Sequence, residues 1–287
     1  MKINPVIEKE LKTTMRGWRA PLLISLYLGF LLLVTYLYFL TNDQLSFRGL
    51  QTFNPRVAIN AFNTLAFFQL ILILFITPIL TGGAISSERE RQTLDLLLCT
   101  SFSTNKVVFG KIFVSIANVL LLITASLPIM GIVFMFGGIK LTDLLLLFVF
   151  YFITAIMIGS LGIFYSTVFK KTIISIVMTY LTIGFLSIGT VIIMYLYYFF
   201  KDQFANQPGY YQLVGFLFSN PFFGFGSVIE GSAERNSIFG SLVSLATGGS
   251  VSNVNITIKS WMFNLGFDAI LSVLLVNVSA WRLKPVK

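Results

Sequence analysis

The chain has 287 residues, 56% of them hydrophobic and only 11% charged, with a mean hydropathy of +0.87 and a formal net charge of +9. That composition excludes a soluble globular domain and indicates an integral membrane protein. With no histidine and one cysteine, Cys99, the chain has neither a disulfide framework nor a Cys/His metal cluster.

Residues 1–20 read as an amphipathic start. Asn4 can cap a helix that begins at Pro5, where no N–H is needed. Ile3, Ile7, Leu11, Met15 and Trp18 recur at helical steps, and Lys2, Lys9, Lys12, Arg16 and Arg19 fill the rest. This pattern fits a helix lying in the membrane interface with its cations toward lipid headgroups. A plain basic anchor before the first span is the alternative.

About 20 apolar residues cross a bilayer as a helix. Such runs cover about 21–40, 57–81, 112–136, 143–169 and 172–200, and a more polar sixth covers 261–281. The first has too long an apolar core for a cleaved signal peptide. Pro78 in the second run and Pro128 in the third each remove a helix hydrogen bond and permit a kink. In the fourth, Ala155, Gly159 and Gly162 offer a small-residue face for close packing.

Between the second and third runs lies the polar stretch 82–111, with Glu88, Arg89, Glu90, Arg91, Asp95, Lys106 and Lys111. Ser87-x-x-Glu90 has the form of a capping box, so a helix is expected from about Glu88. Thr93, Leu94, Leu97 and Leu98 give it an apolar strip opposite the charges. Such a helix can grip a soluble protein or lie on lipid, and the residues alone leave both open.

The segment 201–260 is long for a connection and should have structure of its own. Asn220-Pro221 breaks any helix there, giving two apolar arms that read as a hairpin dipping into or resting on the outer leaflet, with a seventh span, which would put Arg282, Lys284 and Lys287 outside, as the alternative. In the sixth run Asn264, Asp268 and Ser272 share one face at steps of four. A carboxyl there must face protein or water. It is either part of a polar pathway or coupling site, or a locally hydrogen-bonded group near the outer interface.

With both termini inside, the inner pieces hold fourteen of the twenty Lys and Arg residues, as the positive-inside bias requires. The basic charge is thereby assigned to lipid-facing loops, and nucleic acid is not expected as a partner. No G-x-x-x-x-G-K-[ST] phosphate loop is present, and the absence of histidine removes His-based catalysis. No catalytic motif is found, so any energy the protein uses is expected to come from a partner.

Glu88-Arg89-Glu90-Arg91-Gln92-Thr93-Leu94-Asp95-Leu96-Leu97-Leu98, Thr100-Ser101-Phe102-Ser103 and Phe109-Gly110-Lys111 together resemble the cytoplasmic loop of type-2 class ABC exporter permeases. Asn4-Pro5, Glu8-x-Glu10-Leu11 and Arg16 are similar to the interfacial N-terminal helix of that family. Gln92 stands where the family pattern has glycine and Ser101 where it has proline, and both permit a more continuous helix. The resemblance implies an all-α membrane protein with six transmembrane helices, cytoplasmic termini and an interfacial helix. A coupling helix is implied between spans 2 and 3, and an outer hairpin between spans 5 and 6, all in one permease domain over 1–287.

The resemblance further implies two permease subunits, copies or paralogues, above two ABC ATPase subunits that bind ATP and Mg, in a bacterial cytoplasmic membrane. Glu88, Arg89, Glu90, Arg91, Thr93, Leu94 and Leu97 become the ATPase-coupling contacts, flanked by the N-terminal helix with Lys9, Lys12, Arg16, Trp18 and Arg19. A partner-independent transporter or channel, or a membrane scaffold, are the rival expectations.

Overall fold

The computed structural model describes residues 17–41, 55–93, 104–135, 139–202, 215, 217–229 and 260–283. All the elements it describes are helical: α1 Arg19–Thr41, α2 Pro55–Thr81, α3 Ser86–Glu90, α4 Thr104–Ala125 and α5 Leu127–Met135 come first. Then follow α6 Leu141–Val168, α7 Thr172–Gly184, a π-helical turn Phe185–Gly189, α8 Thr190–Asp202, α9 Pro221–Ile229 and α10 Ser260–Arg282. Six of the helical runs are long and apolar enough to cross a membrane, as expected.

Helix α6 is the axis of the bundle. It packs most extensively on α10, then on α2, α7 and α4. Leu147, Phe150, Tyr151, Ala155 and Ile158 on it are fully buried. Lipid is as apolar as leucine, so helix association rests on close packing and interhelical hydrogen bonds. Both are present. A Cβ at Gly162 would land on the Thr81 hydroxyl and within 3.2 Å of the Gly82 nitrogen, so this glycine lets α6 meet the end of α2. The Tyr151 hydroxyl donates to the Ala66 carbonyl (2.6 Å), and Gln69 Nε2 donates to Ser126 Oγ (2.7 Å).

The two prolines act differently. Pro128 follows a break: α4 ends at Ala125, Ser126 forms a turn, and α5 restarts the third span. Pro78 sits inside α2, which continues to Thr81 before the chain turns through 82–85. The fifth span, expected as continuous over 172–200, is interrupted by the π turn, where Thr190 N–H reaches back five residues to the Phe185 carbonyl.

The chain ends of the spans gather in two places. At one end Ile85, Ile116, Ile163, Ala280 and Leu283 form a small apolar cluster, bringing the end of α10 beside the 82–93 turn. At the other, α9 is buried against α6 and α10. Its nine residues are too short to cross a bilayer. The rest of the expected hairpin, and residues 1–16 with Lys9, Lys12 and Arg16, lie outside the described residues. Trp18 is exposed beside the start of α1.

Candidate functional site

The charged turn after α2 is anchored by three consecutive side chains to three different spans. Glu88 pairs with Lys111 of α4 at 3.3 Å. Arg89 Nη1 donates to the Thr167 carbonyl at the end of α6 (3.3 Å). Glu90 accepts from both the backbone N–H and the hydroxyl of Thr172, the first residue of α7, at 2.8 Å each. The Glu90 carboxylate thus caps the start of α7 from a distance, where the helix dipole favours negative charge.

The capping box expected from Ser87 and Glu90 does not form. Helix α3 begins at Ser86, not Glu88, and its first residues are capped from α6. Ser166 Oγ accepts from the backbone N–H of both Ile85 and Ser86 at 2.8 Å. The Ser87 hydroxyl turns back to the Gly83 carbonyl instead, and Glu90 is engaged by Thr172. Long-range partners held by the bundle replace the local box.

The helix ends just as sharply. Thr93 N–H returns to the Glu88 carbonyl at 2.9 Å and Gln92 N–H to the Arg89 carbonyl at 3.1 Å. That bond pair is the Schellman motif, which places the residue after the cap in the left-handed region. Gln92 is there, with φ 58°, the one non-glycine positive φ among the described residues. Gln92 permits a continuous helix but does not extend it: it adopts the left-handed conformation that glycine takes most readily. Thr93 Oγ1 also donates to the Glu88 carboxylate, closing the turn.

Charge follows this geometry. The run Val57–Glu90 has 34 residues, more than the roughly 20 a bilayer needs, so its charged end lies beyond the hydrocarbon. Burial pushes the Glu88 carboxyl up, but the Thr93 hydroxyl, Lys111 and Arg91 outweigh it and hold the group below its ordinary value. The Thr172 N–H and hydroxyl, helped by Lys171 and opposed by slight desolvation, hold Glu90 low as well.

Of the sequence-predicted contacts, Glu88 and Arg89 are therefore half-buried and committed inward, and Glu90 is tied to α7. Arg91 and Gln92 face outward. Leu94 and Leu97 lie outside the described residues. The sequence signalled a charged loop but not its anchors, Ser166, Thr167 and Thr172, which are ordinary hydroxyl residues with no local pattern.

At the opposite end the sixth-span face is brought together as its spacing implies. Asn264, Asp268 and Ser272 are all buried. Asn264 Nδ2 donates to the carbonyls of Phe218 (2.7 Å) and Asn220 (3.2 Å). Asn220 caps α9 through Oδ1 to the N–H of Phe222 at 2.9 Å. Its Nδ2 reaches the Ser187 carbonyl (2.7 Å) and the Thr190 hydroxyl (2.9 Å) at the π turn. Ser272 bonds back to the Ala269 carbonyl. The Asp268 carboxyl is buried beside the Thr154 hydroxyl of α6 and makes no bond on its own helix.

Comparison with curated proteins finds no match. A family model described as ABC-2 family transporter protein matches residues 7–276, nearly the whole chain and both ends of the bundle. With six apolar helices and a turn built on the loop pattern of such permeases, the chain belongs to the ABC-2 family of transporter proteins.

Proposed function

We propose that this multi-pass ABC-type permease is the membrane subunit of an exporter, driven by ATP hydrolysis in a separate ATPase subunit that binds beneath the 82–111 segment. The observation that carries the reading is the three-way anchoring of the charged turn. A displacement of α3 is transmitted at once to α4 through Glu88–Lys111, to α6 through Arg89, and to α7 through Glu90. The outward Arg91 and Gln92 are the side chains left to meet a partner, and the inward three convert its movement into span movement.

In this reading the fourteen-to-six bias of basic residues puts the anchored turn and both termini in the cytoplasm. The partner ATPase binds ATP and Mg, and a second permease copy or paralogue completes the membrane core. The membrane is the bacterial cytoplasmic membrane.

Proteoliposomes holding the permease and its ATPase test the assignment. Glu90→Gln keeps the outward face but weakens the link to α7, so ATP hydrolysis should persist while ATP-driven export falls several-fold. Export unchanged by this substitution would overturn the coupling role. Cargo movement by the chain alone, driven by an ion gradient without ATP, would overturn the ATP-driven reading.

A further inference from the structure

Asp268 sits on α10 against α6, in the most extensive helix contact of the chain, and is 1% exposed. Its carboxyl lies beside the hydroxyl of Thr154, a fully buried residue of α6. Beyond this contact neither Asp268 oxygen nor Thr154 Oγ1 has a hydrogen-bond partner. The threonine is the telling member. Every other threonine whose side chain is described makes a side-chain hydrogen bond. Most do so to a carbonyl three or four residues back, as Thr77 does to Ile73 and Thr179 to Ser175. Thr154 alone among them makes no bond to a backbone carbonyl or to any side chain other than the carboxyl it faces. One turn outward from Asp268, Asn264 Oδ1 is also buried and unpaired, although its amide nitrogen is satisfied twice.

Three side chains on two helices therefore hold four buried oxygens with no partner outside the group, and a single hydroxyl proton among them. An ionised carboxylate in that setting is strongly disfavoured unless a positive charge accompanies it. Among the described residues no cation supplies one. Among the described residues Asp268 makes no ion pair, and Lys111, the basic residue of α4 whose side chain is described, is held by Glu88. Helix α9 has no ionisable residue. On α6 the ionisable groups are Asp143 in its first turn, Tyr151, bonded to the Ala66 carbonyl, and Tyr165, bonded to Thr182. On α10 the basic residue is Arg282 in the last turn. An oxygen-only set with one negative charge suits a hard, singly charged cation rather than a thiophilic metal.

We propose that Asp268, Thr154 and Asn264 form an intramembrane site for one monovalent cation, either a proton or an alkali metal ion, held between α6 and α10. Motion that parts these two helices admits water to Asp268 and releases the cation, so the site ties the charge state of the interior to the α6–α10 contact. This stands independently of the ATPase reading, since it concerns a cation and not the charged turn.

The test uses the full chain in nanodiscs, in sodium, potassium or choline chloride. Alkali binding predicts a saturable rise in Tm of about 2–4 °C over choline, absent in Asp268→Asn. Proton binding predicts no alkali effect, together with a protonated-carboxyl C=O stretch in the infrared that Asp268→Asn removes. Thr154→Val should shift that band, or weaken the alkali effect several-fold, and it remains readable if Asp268→Asn fails to fold. A carboxylate band with no alkali dependence, marking an ionised and merely hydrated Asp268, would overturn the proposal. So would wild-type responses that Thr154→Val leaves untouched.

Discussion

The two ends of the bundle solve the same problem with different chemistry. Each must satisfy the backbone groups left over where helices begin and stop near the edge of an apolar medium. The end with the charged turn, inner in the proposed orientation, uses charge: Glu88 on Lys111, Arg89 on a carbonyl, Glu90 on the start of α7. The opposite end, outer in that orientation, uses neutral amides: Asn220 caps α9 and holds the π turn, while Asn264 holds two carbonyls leading into α9. Charged anchors are stronger individually but respond to pH and to the loss of one partner. Amide anchors do not titrate. The difference places the adjustable joint at the inner end and the fixed one at the outer.

Removing one member of each anchor is the most direct way to break this comparison. Lys111 is only 5% exposed, so Glu88→Ala removes a carboxylate that pairs with a buried ammonium. The expected loss is about 3 kcal/mol, toward the low end for buried pairs because Glu88 is partly solvated. Thermal unfolding in detergent measures it. The paired change Glu88→Leu with Lys111→Met should recover most of that loss, because apolar side chains then replace both members of the pair.

At the outer end Asn220→Ala removes a helix cap and two amide bonds to the π turn at once. No charge is stranded, so the loss should be smaller, about 1.5–2 kcal/mol. It should also be the same in low and high salt, whereas the Glu88→Ala loss should change with salt. Equal salt sensitivity at the two ends would erase the distinction.

Acid sharpens the same contrast. Glu88 and Glu90 are held below their ordinary value of 4.5, so the stability they add is fully present above that pH. It is lost as pH falls through their depressed folded values. The protection factor of the Thr172 amide, which donates to Glu90, should therefore fall on acidification below about pH 4.5, once the intrinsic exchange rate at each pH is divided out. The backbone amides of Phe222 and Phe223, bound to the Asn220 side chain, should show no matching step.

Much of this was legible in the chain, but unevenly. Apolar length gave the six spans, and steps of four gave the buried Asn264–Asp268–Ser272 face, because both signals are local. The Pro128 break was visible for the same reason. The inner anchors were not. Ser87-x-x-Glu90 has the spelling of a capping box, yet Ser166 and Thr172 outcompete it from about 80 residues away in sequence. A hydroxyl held rigidly by packing loses less entropy than a local side chain on a short helix. The π turn over Phe185–Gly189 also had no spelling of its own, because its purpose, a carbonyl offered to Asn220, is tertiary.

The smallest expected effect concerns the residue where family pattern and local reading disagreed. Gln92 lacks glycine's freedom but is held at φ 58° by the Schellman bonds on either side of it. A side chain in that region costs about 1 kcal/mol, which glycine does not pay. Its own side chain is exposed and makes no described hydrogen bond, so little is lost with it. Glycine also gains freedom in the unfolded chain, which offsets part of the benefit. Gln92→Gly should therefore stabilise the inner end by about 0.5 kcal/mol net, read as slower exchange at the Thr93 amide that closes the motif. Gln92→Ala should give no such gain, since alanine meets the same left-handed penalty. If alanine stabilised as much as glycine, the turn would be helical at this position, and the sharp stop that separates the anchored turn from the segment beyond it would not exist.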